Sequence, residues 1–530
     1  AYSAIDRLET ELEKLKMNFN KIVIVGGGSA GWMTAATLIK AYPNNDITLI
    51  ESPNAPVIGV GESTLGQINN WLNFLEIREE EFIKATDGSY KLSIRFQDFY
   101  KKDSGGFHYP FGEPDLNNTN SGLNDWMFKK FLNPLLPSSD YADTFFSSMT
   151  LINSNKYTEN KDGKLPGFEP EKHVAYHFDA IKFGQFLKNN YCLNKGVKHI
   201  EAEVTDIEVT KEGVKKIIMN KSKHISADLF IDCTGFKSML LGGALQEPFD
   251  SYEDILPNNS AVATQIPYRD KKKELVPYTN CIAQGNGWVW QIPLWSRIGS
   301  GYVYSDKYLS DEQAVIDFKD FLIKNKSPIE DCKFKTIKMK VGLHKRTFVK
   351  NVCAIGLAAG FIEPLESNGL YTVHVFLMNL LRTLKRNEIN RFDKDAYNYN
   401  TKIEFRNFAE FVAMHYSLSH RTDTKYWRDI QEREFCKDLI EPKAFAYNGF
   451  SRAVYDKYQN FQFSPFGGLH CIAMGMNWFP TDIDSITSST LVSEDIHTLN
   501  WKFCVEKLRQ NKERREKIVK TAESFYNHLK

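Results

Sequence analysis

The chain has 530 residues, of which 42% are apolar and 25% are charged, a composition typical of a globular protein with a substantial core. Its net charge of +1 gives no reason to expect a nucleic acid or an anionic membrane surface as a partner. No apolar run approaches the roughly 20 residues that span a bilayer, and the chain opens without a signal-peptide pattern. The eight cysteines form neither a CxxC pair nor a Cys/His cluster with metal-ligand spacing, so we expect no metal site and a cytoplasmic location.

Residues 1–16 differ in character from the rest of the chain. Ile5, Leu8, Leu12 and Leu15 have the spacing of a short amphipathic helix in a charged background. Met17 is a candidate native start, which would make residues 1–16 an N-terminal extension.

The stretch KIVIVGGGSAGWMTAATLI (21–39) predicts a buried strand, a glycine turn and a helix. Gly26, Gly28 and Gly31 have the GxGxxG spacing, which permits a tight turn, close approach of the backbone to a pyrophosphate, and tight packing of helix on strand. A second predicted strand, DITLIE, ends in Glu51, at the distance from Gly31 where a ribose hydroxyl would need an acceptor. The pattern therefore predicts dinucleotide binding and leaves FAD or NAD open.

Three later segments favour FAD. APVIGVGESTLGQ (55–67) is glycine-rich around Gly59 and Gly61, whereas NAD domains usually continue as regular βαβ repeats. ADLFIDCTGF (227–236) and NVCAIGLAAGF (351–361) each combine an apolar strand with a glycine turn. Either segment alone could be a core strand and its turn. Together they favour one interleaved flavoprotein fold.

The segment GNGWVWQIPLWSRIGSGYVYS (285–305) contains Trp288-x-Trp290-x-Ile292-Pro293. Such an aromatic alternation is by itself most often a strand with one packed face. Combined with GGGSAGW near the N-terminus and GFIEPLES (360–367), it resembles the WxWxIP signature of flavin-dependent halogenases of the tryptophan-halogenase type. The resemblance extends from about residue 20 past residue 430.

The resemblance implies an α/β, glutathione-reductase-like FAD-binding fold of the Rossmann type, with inserted β segments and a helical C-terminal substrate-binding part. Residues 17–400 would form the FAD-binding core with interleaved substrate-pocket segments, and residues 401–530 a mostly helical part that covers the pocket. A separate flavin reductase would supply FADH2. Homodimers are common in the family, and the sequence does not decide whether this chain forms a homo-oligomer.

In the family, reduced FAD and O2 convert a halide ion (chloride, bromide or iodide) to hypohalous acid, which reaches a separate substrate pocket where a lysine holds it. The matching lysine is Lys91, whose ammonium could polarise the acid or whose amine could form a haloamine. Without the resemblance, Lys91 would be read as a surface lysine. The family's glutamate, which orients the halogenating species and accepts the ring proton, falls on Glu366. Glu363 is expected to be structural, and the backbone N–H groups of Asn368 and Gly369 are expected to bind the halide.

Carried over residue by residue, the family's flavin contacts fall on Ser29, Ala30, Gly31, Glu51, Gly59, Val204, Leu357 and Leu370. Trp288 and Trp290 are expected to keep the substrate away from the flavin. The family usually has Thr at the position of Asn368, a difference that could alter halide preference.

The chain departs from free-tryptophan halogenases at the substrate pocket. Tyr109 occupies the usual place of a histidine, and Phe111 remains to stack an aromatic ring. Near the C-terminus, SPFGGLHCIAMGMNWFP (464–480) has Gly468 and Leu469 where a tyrosine pair is expected, and contains no acidic residue. An ammonium without a carboxylate is poorly held in a buried site, so free tryptophan is disfavoured and an indole-like arene fits better.

Two other functions are compatible with the fold. An FAD-dependent aromatic hydroxylase would not require the WxWxIP motif with Lys91 and Glu366. A flavin-binding protein without catalysis would not need to retain those two side chains.

Overall fold

The computed structural model describes residues 17–54, 61–115, 126, 130, 133–159, 164–386, 388–433, 466–478, 506, 509–510 and 512–530. Its strands are β1 (Lys21–Val25), β2 (Asp46–Glu51), β3 (Glu62–Ser63), β4 (Ser89–Lys91), β5 (Ser93–Gln97), β6 (Gly106–Pro110), β7 (Lys156–Tyr157), β8 (Ala175–Phe178), β9 (Lys198–Glu201), β10 (Val204–Thr210), β11 (Gly213–Met219), β12 (His224–Ile225), β13 (Leu229–Asp232), β14 (Phe249–Ser251), β15 (Ser260–Ile266), β16 (Tyr278–Gln284), β17 (Gly287–Pro293), β18 (Ile298–Tyr304), β19 (Lys335–Lys338), β20 (Gly342–His344), β21 (Phe348–Val349), β22 (Val352–Ala354), β23 (Gly360–Phe361) and β24 (Glu523–Ser524). Its α-helices are α1 (Ser29–Ala41), α2 (Ile68–Leu75), α3 (Glu79–Ala85), α4 (Asp140–Phe145), α5 (Ser148–Ser154), α6 (Pro170–His173), α7 (Ala180–Phe186), α8 (Lys271–Glu274), α9 (Asp311–Lys324), α10 (Gly369–Thr383), α11 (Arg391–Ser417), α12 (Lys425–Gln431), α13 (Phe466–Gly475) and α14 (Phe525–Leu529).

A six-stranded sheet in the described part of the chain has the order β21-β22-β13-β1-β2-β9. All of its neighbouring strands run parallel except β21 and β22. Its central strands are continuous apolar runs because a parallel sheet is buried on both faces, and Ile22, Val23 and Ile24 are fully buried.

The three predicted glycine turns follow three adjacent strands of this sheet. The GxGxxG turn follows β1, the Thr-Gly turn follows β13, and the turn at Gly356 follows β22. The carboxyl ends of parallel strands meet at one edge of a sheet, which is where ligands bind in open α/β folds. The predicted interleaved α/β flavoprotein fold is therefore confirmed, and it joins turns that lie far apart along the chain.

A seven-stranded mixed sheet with the order β19-β15-β18-β17-β16-β5-β6 carries the Trp-x-Trp segment on β17. In a three-stranded sheet with the order β3-β8-β4, strand β4 ends at Lys91. These are the inserted β segments that the sequence predicted. Strand β4 lies next to the turn that contains Glu366, because Nζ of Lys91 donates to Ser367.

The segment that follows the turn with Glu366 forms two successive helices. Helix α10 ends at Thr383 and α11 begins at Arg391. The side chain of Asn390 accepts from the N–H of Asp393, whose carboxylate accepts from the N–H of Asn390. This capping box satisfies N–H groups that a helix start leaves unpaired and so fixes a new start for α11.

The boundary expected near residue 400 falls within α11, and the division into a core and a C-terminal part stays a prediction. Residues 1–16, Gly59 and much of the chain between 434 and 505 lie outside the described residues. None of the helices described combines the length and the apolar character needed to cross a membrane.

Candidate active site

The loop after β1 and the first turn of α1 each contain one position where the backbone leaves room only for glycine. Gly26 has a φ of +116°, and a Cβ on it would lie 2.1 Å from the carbonyl oxygen of Cys233. A Cβ on Gly31 would lie 1.8 Å from the carbonyl oxygen of Gly26. Gly28 differs, because among the described residues, its chain neighbours aside, no atom lies within 4 Å of where its Cβ would be. Open space beside the first turn of α1, where N–H groups have no partner within the helix, suits a pyrophosphate.

The carboxylate of Glu51 lies at the end of β2, next to this loop. One oxygen is 2.8 Å from Nε2 of His199 and 3.2 Å from Nζ of Lys188. The other faces Gly27, whose Cβ, if it had one, would lie 2.5 Å away. This second oxygen is placed to accept a hydrogen bond from a ribose. These residues therefore fit an FAD nucleotide.

The remaining flavin candidates reach the same edge of the sheet in different ways. Ala202 donates its N–H to the carbonyl of Glu51, which brings Val204, at the start of β10, close to that strand end. Gly356 has a φ of +69°, and a Cβ on it would lie 2.9 Å from that of Ala30. This contact sets Leu357, in the turn 356–358, beside the start of α1.

Ser29, Leu370 and Gly61 are three further residues predicted to contact the flavin. The hydroxyl of Ser29 donates to the carbonyl of Ala180 at 3.0 Å, so towards a flavin cofactor it could only accept a hydrogen bond. Leu370 is buried in the first turn of α10. Gly61 has a φ of +87° and lies against Leu294. Gly59 lies outside the described residues.

Lys91 is the last residue of β4 and is completely buried. Its Nζ donates to the carbonyl of Thr64 at 2.9 Å and to Oγ of Ser367 at 2.7 Å, and lies 5.0 Å from the centre of the Phe111 ring. Burial lowers the pKa of Lys91 to about 7, although the negative charge of Glu366 acts in the opposite direction. A fully buried lysine with a neutral fraction near neutral pH differs from a surface lysine in both position and chemistry.

Glu366 ends a 3₁₀ turn (Pro364–Glu366), is completely buried, and has Oε1 2.7 Å from Nε2 of His415. Nδ1 of His415 lies 3.2 Å and 3.1 Å from the carbonyl oxygens of Phe411 and Val412, which can only accept. Nδ1 must therefore carry the proton of the neutral ring, leaving Nε2 bare. This bare nitrogen lies beside the carboxyl group of Glu366, where it can accept a proton from that group. Burial raises the pKa of Glu366, and the contact with His415 and the charge of Lys91 oppose that rise.

Glu363 belongs to a different network. Its carboxyl group accepts from Nδ2 of Asn258 at 2.7 Å and from the hydroxyl of Tyr416. Burial raises the pKa of Glu363 to about 7, and these hydrogen bonds act against the rise. Side chains rather than backbone groups thus satisfy Glu363, and it bonds none of the groups that surround Lys91.

The backbone after Glu366 has a form that suits an anion. Ser367 has a φ of +58° and Asn368 a φ of −82°, and this alternation turns successive N–H groups towards one side. Nδ2 of Asn368 donates to the carbonyl of Ile362 at 3.0 Å, which ties the side chain back to the preceding segment. A Cβ on Gly369 would lie 3.5 Å from Oε2 of Glu62, so a carboxyl group borders the site. Burial raises the pKa of Glu62 to about 7.

The predicted substrate-pocket residues form two aromatic pairs, Tyr109 with Phe111 and Trp288 with Trp290. The rings of Tyr109 and Phe111 meet edge to face, with centroids 5.7 Å apart. A Cβ on Gly468, in α13, would lie 2.6 Å from Cζ of Tyr109, so the hydroxyl end of the Tyr109 ring fills the space of a side chain at this helix position. Trp288 and Trp290 are buried on β17 with their rings 6.3 Å apart.

Sequence reasoning missed several side chains around Lys91, Glu366 and Gly369, some in direct contact with these residues and some linked to Lys91 through the hydroxyl of Ser367. They are Glu62, Ser63, His177, Thr279, Ser367 and His415. Ser367 was detectable as the neighbour of Glu366. The others come from distant segments with no shared motif, and only the fold brings them together. No cluster of three or more potential metal ligands occurs among the described residues.

A sequence model of the tryptophan halogenase family matches residues 21–490. Tryptophan 6-halogenase SttH from Streptomyces toxytricini is 35% identical over 445 residues, which cover 80% of this chain and 83% of that protein. Tryptophan 7-halogenase RebH from Lentzea aerocolonigenes is 32% identical over 440 residues, or 80% and 81% of the two chains.

Solved structures give the same result. The apo structure of VirX1 aligns with a TM-score of 0.87 at 35% identity, covering 97% of this chain and 98% of that one. The crystal structure of SttH aligns with a TM-score of 0.83 at 30% identity, covering 97% and 100%. Together with the glycine turns, these alignments define a flavin-dependent halogenase of the FAD-binding α/β type.

The chain belongs to the tryptophan halogenase family. It is an enzyme that halogenates aromatic substrates and depends on flavin and halide, as the family does.

Proposed function

We propose that the protein halogenates an electron-rich, indole-like small molecule with hypohalous acid delivered through Lys91, and that Glu366 removes the ring proton. The observation that carries this proposal is the position of Lys91, which is fully buried against Phe111 and donates a hydrogen bond to Ser367, the residue next to Glu366. The net reaction of the arene with hypohalous acid replaces a ring hydrogen by halogen and releases water.

The environment of Lys91 supports its role. With a pKa near 7, both the ammonium and the amine are populated at neutral pH. The ammonium can polarise the oxygen of the acid, and the amine can take up the halogen. A solvated lysine would be almost entirely protonated at this pH.

The pair formed by Glu366 and His415 supports proton removal. The carboxylate of Glu366 can take the proton that the ring loses, and Nε2 of His415, 2.7 Å from Oε1, offers a second acceptor beside it. Its complete burial keeps water from competing for that proton.

The oxidant is supplied at a separate site. FAD would be held by Gly26, Gly28, Gly31 and Glu51, and when bound as FADH2 it reacts with O2 and supplies the oxidising equivalents that convert halide to hypohalous acid. Asn368 and Gly369 would bind the halide through backbone N–H groups, which offer donors without a competing positive charge.

The pocket wall supports a substrate without an amino-acid tail. The Tyr109 ring lies against Gly468, and the neighbouring buried side chains of α13 are Leu469, His470, Cys471 and Ile472. Burial lowers the pKa of His470 to about 4, so this imidazole is uncharged at neutral pH. A zwitterion would lose hydration here without gaining an ionic partner from these side chains. An indole or another neutral arene would instead stack on Phe111.

We also propose that a separate flavin reductase supplies FADH2. In the described part of the chain, the six-stranded sheet carries a single strand–GxGxxG–helix unit, and flavin binding accounts for it. The enzyme would then take its electrons by exchange of reduced flavin.

Incubation with FADH2, O2, bromide and a panel of indoles, including free tryptophan, tests the proposal. We expect products with the one-to-one bromine isotope doublet by mass spectrometry, with neutral indoles preferred over tryptophan. Hydroxylated products without bromine would instead identify a hydroxylase, and flavin oxidation without any product would identify a binding protein.

A further inference from the structure

A continuous chain of hydrogen bonds leads from Lys91 into the protein. Nζ of Lys91 lies 2.7 Å from Oγ of Ser367, which lies 3.1 Å from Oγ of Ser63. Oγ of Ser63 is 2.7 Å from Oγ1 of Thr279, which is 2.8 Å from Nε2 of His177. Every distance is within hydrogen-bond range, and three hydroxyl groups separate the ammonium from the imidazole.

The donor and the acceptor of each hydrogen bond follow from the groups around His177, at the end of the chain of hydrogen bonds that is furthest from Lys91. The hydroxyl of Ser89 lies 2.6 Å from the carbonyl oxygen of Pro293, to which it can only donate. Its oxygen can therefore accept from Nδ1 of His177, 3.3 Å away. The neutral imidazole then carries its proton on Nδ1 and accepts at Nε2 from Thr279. Thr279 in turn accepts from Ser63.

The same direction follows from the near end. An ammonium group can only donate, so Ser367 accepts from Lys91 and has its own proton free for Ser63. Both ends thus impose one polarity on the chain, in which every hydroxyl donates away from Lys91 and towards His177. This polarity is the one needed for a proton to leave Lys91 by successive transfers.

The relay is closed to solvent. His177 and Lys91 are completely buried, and the three hydroxyl residues have between 3% and 7% of their surface exposed. Low exposure matters because bulk water would otherwise exchange protons with Lys91 directly and make the relay redundant.

We propose that Ser367, Ser63 and Thr279 form a proton relay through which Lys91 exchanges a proton with His177. This inference rests on the proposed function, because it concerns Lys91 as the group that carries the halogen. In the first step the ammonium of Lys91 becomes an amine, the imidazole of His177 becomes an imidazolium, and the three hydroxyls reverse their donor direction.

The relay solves a chemical problem of halogen transfer. The amine of Lys91 attacks the halogen of hypohalous acid, so that an N–halogen bond forms, the halogen–oxygen bond breaks, and the hydroxide leaves as water with a proton from nitrogen. When the ring then takes the halogen, the electron pair of the N–halogen bond stays on nitrogen. An amide anion is too basic to leave there, so nitrogen must receive a proton, which returns from His177 through the relay. The ring proton passes to the pair of Glu366 and His415.

The electrostatics allow the proton to move. Burial lowers the pKa of His177 well below its usual value, and the positive charge of Lys91 lowers it further. Transfer from Lys91 removes that charge, so part of the depression of the His177 pKa is lifted as the proton arrives. The cavity holds one positive charge throughout, and His177 holds the proton only transiently.

Thr279→Val tests the relay, because it removes one hydroxyl and nearly preserves the shape of the side chain. The matched control is Thr264→Val, a buried threonine on β15 in the same sheet, whose hydroxyl donates to the carbonyl of Lys333. The measurement is the rate of bromination of an indole in a single turnover with FADH2, O2 and bromide, in H2O and D2O.

We expect T279V to slow bromination about 100-fold, the low end of what a positioned proton donor contributes, with flavin oxidation unchanged. Thr279→Ser should restore the rate and the solvent isotope effect, and T264V should behave as wild type. A structural role of the Thr279 methyl group would not be rescued by serine, and a structural role of its hydroxyl would leave the solvent isotope effect of T279V the same as that of wild type. If T279V does not fold, S63A breaks the relay at the preceding hydroxyl and carries the same expectation.

The relay is wrong if T279V brominates at the wild-type rate, or if T279S is as slow as T279V. Failure of the proposed function has a different signature, in which Lys91→Met itself still brominates the indole. An inactive K91M together with a fully active T279V would overturn the relay alone.

Discussion

Burial of Lys91 should lower the free energy of unfolding of the protein. In the unfolded chain its pKa is near 10.5, whereas burial lowers the pKa to about 7 in the folded protein. The unfolded chain therefore binds more protons between pH 7 and about 10.5, and folding stability rises with pH across that window. The cost of burying the charge is about 4 kcal/mol at pH 7 and about 2 kcal/mol at pH 9.

Lys91→Met removes this cost and nearly preserves the volume of the side chain. It also leaves Thr64 and Ser367 without the hydrogen bonds that Lys91 donates, at about 1 kcal/mol each. The net gain in the free energy of unfolding should be about 2 kcal/mol at pH 7 and should fall by about 2 kcal/mol between pH 7 and pH 9.

Urea unfolding of wild type and K91M at both pH values measures these differences. Lys338→Met is a control of opposite sign, because Asp311 and Asp306 raise the pKa of this half-exposed lysine, and its removal should cost between 0 and about 1 kcal/mol. If K91M is less stable than wild type at pH 7, with no change at pH 9, the assigned environment of Lys91 is refuted.

Further substitutions test other parts of the site. Glu366→Gln removes the base, so brominated product per flavin oxidised should fall by about 100-fold or more while flavin oxidation measured by absorbance continues; an unchanged yield would exclude Glu366 as the base. Gly28→Ala should fold normally but bind FAD weakly in a fluorescence titration, because the new Cβ enters the space proposed for the pyrophosphate. Gly31→Ala should in addition lower the melting temperature, because its Cβ would collide with the carbonyl oxygen of Gly26. Glu62→Gln should tighten bromide binding above pH 7, because the wild-type carboxyl group beside Gly369 has a pKa of about 7 and is ionised there. Equal bromide affinity of the two proteins at pH 9 would contradict a halide site at Gly369.

The sequence predicted those parts of the molecule that are written as local patterns. GxGxxG after an apolar run requires glycine at Gly26 and Gly31 because backbone atoms occupy the space of a side chain, and the structure places both accordingly. The Trp-x-Trp alternation is a strand in the middle of a sheet, as its pattern indicates. Such features depend on neighbours in the chain and can be read without the fold.

The surroundings of the predicted catalytic residues could not be read in this way. Lys91 is one lysine among many until β4 and the turn after Glu366 meet, and His415 contacts Glu366 only because α11 passes that turn. Ser63 and Thr279 lie far apart in the chain yet share a hydrogen bond. Contacts of this kind are set by sheet order and helix packing, which no spacing in the chain encodes.

The most direct test of halogen delivery through Lys91 is a single-turnover experiment on Lys91→Met with FADH2, O2, bromide and an indole. The folded variant should oxidise flavin at the wild-type rate and form no brominated indole. Brominated indole formed by K91M at the wild-type rate would show that halogen reaches the substrate without Lys91, and would refute the role assigned to this residue.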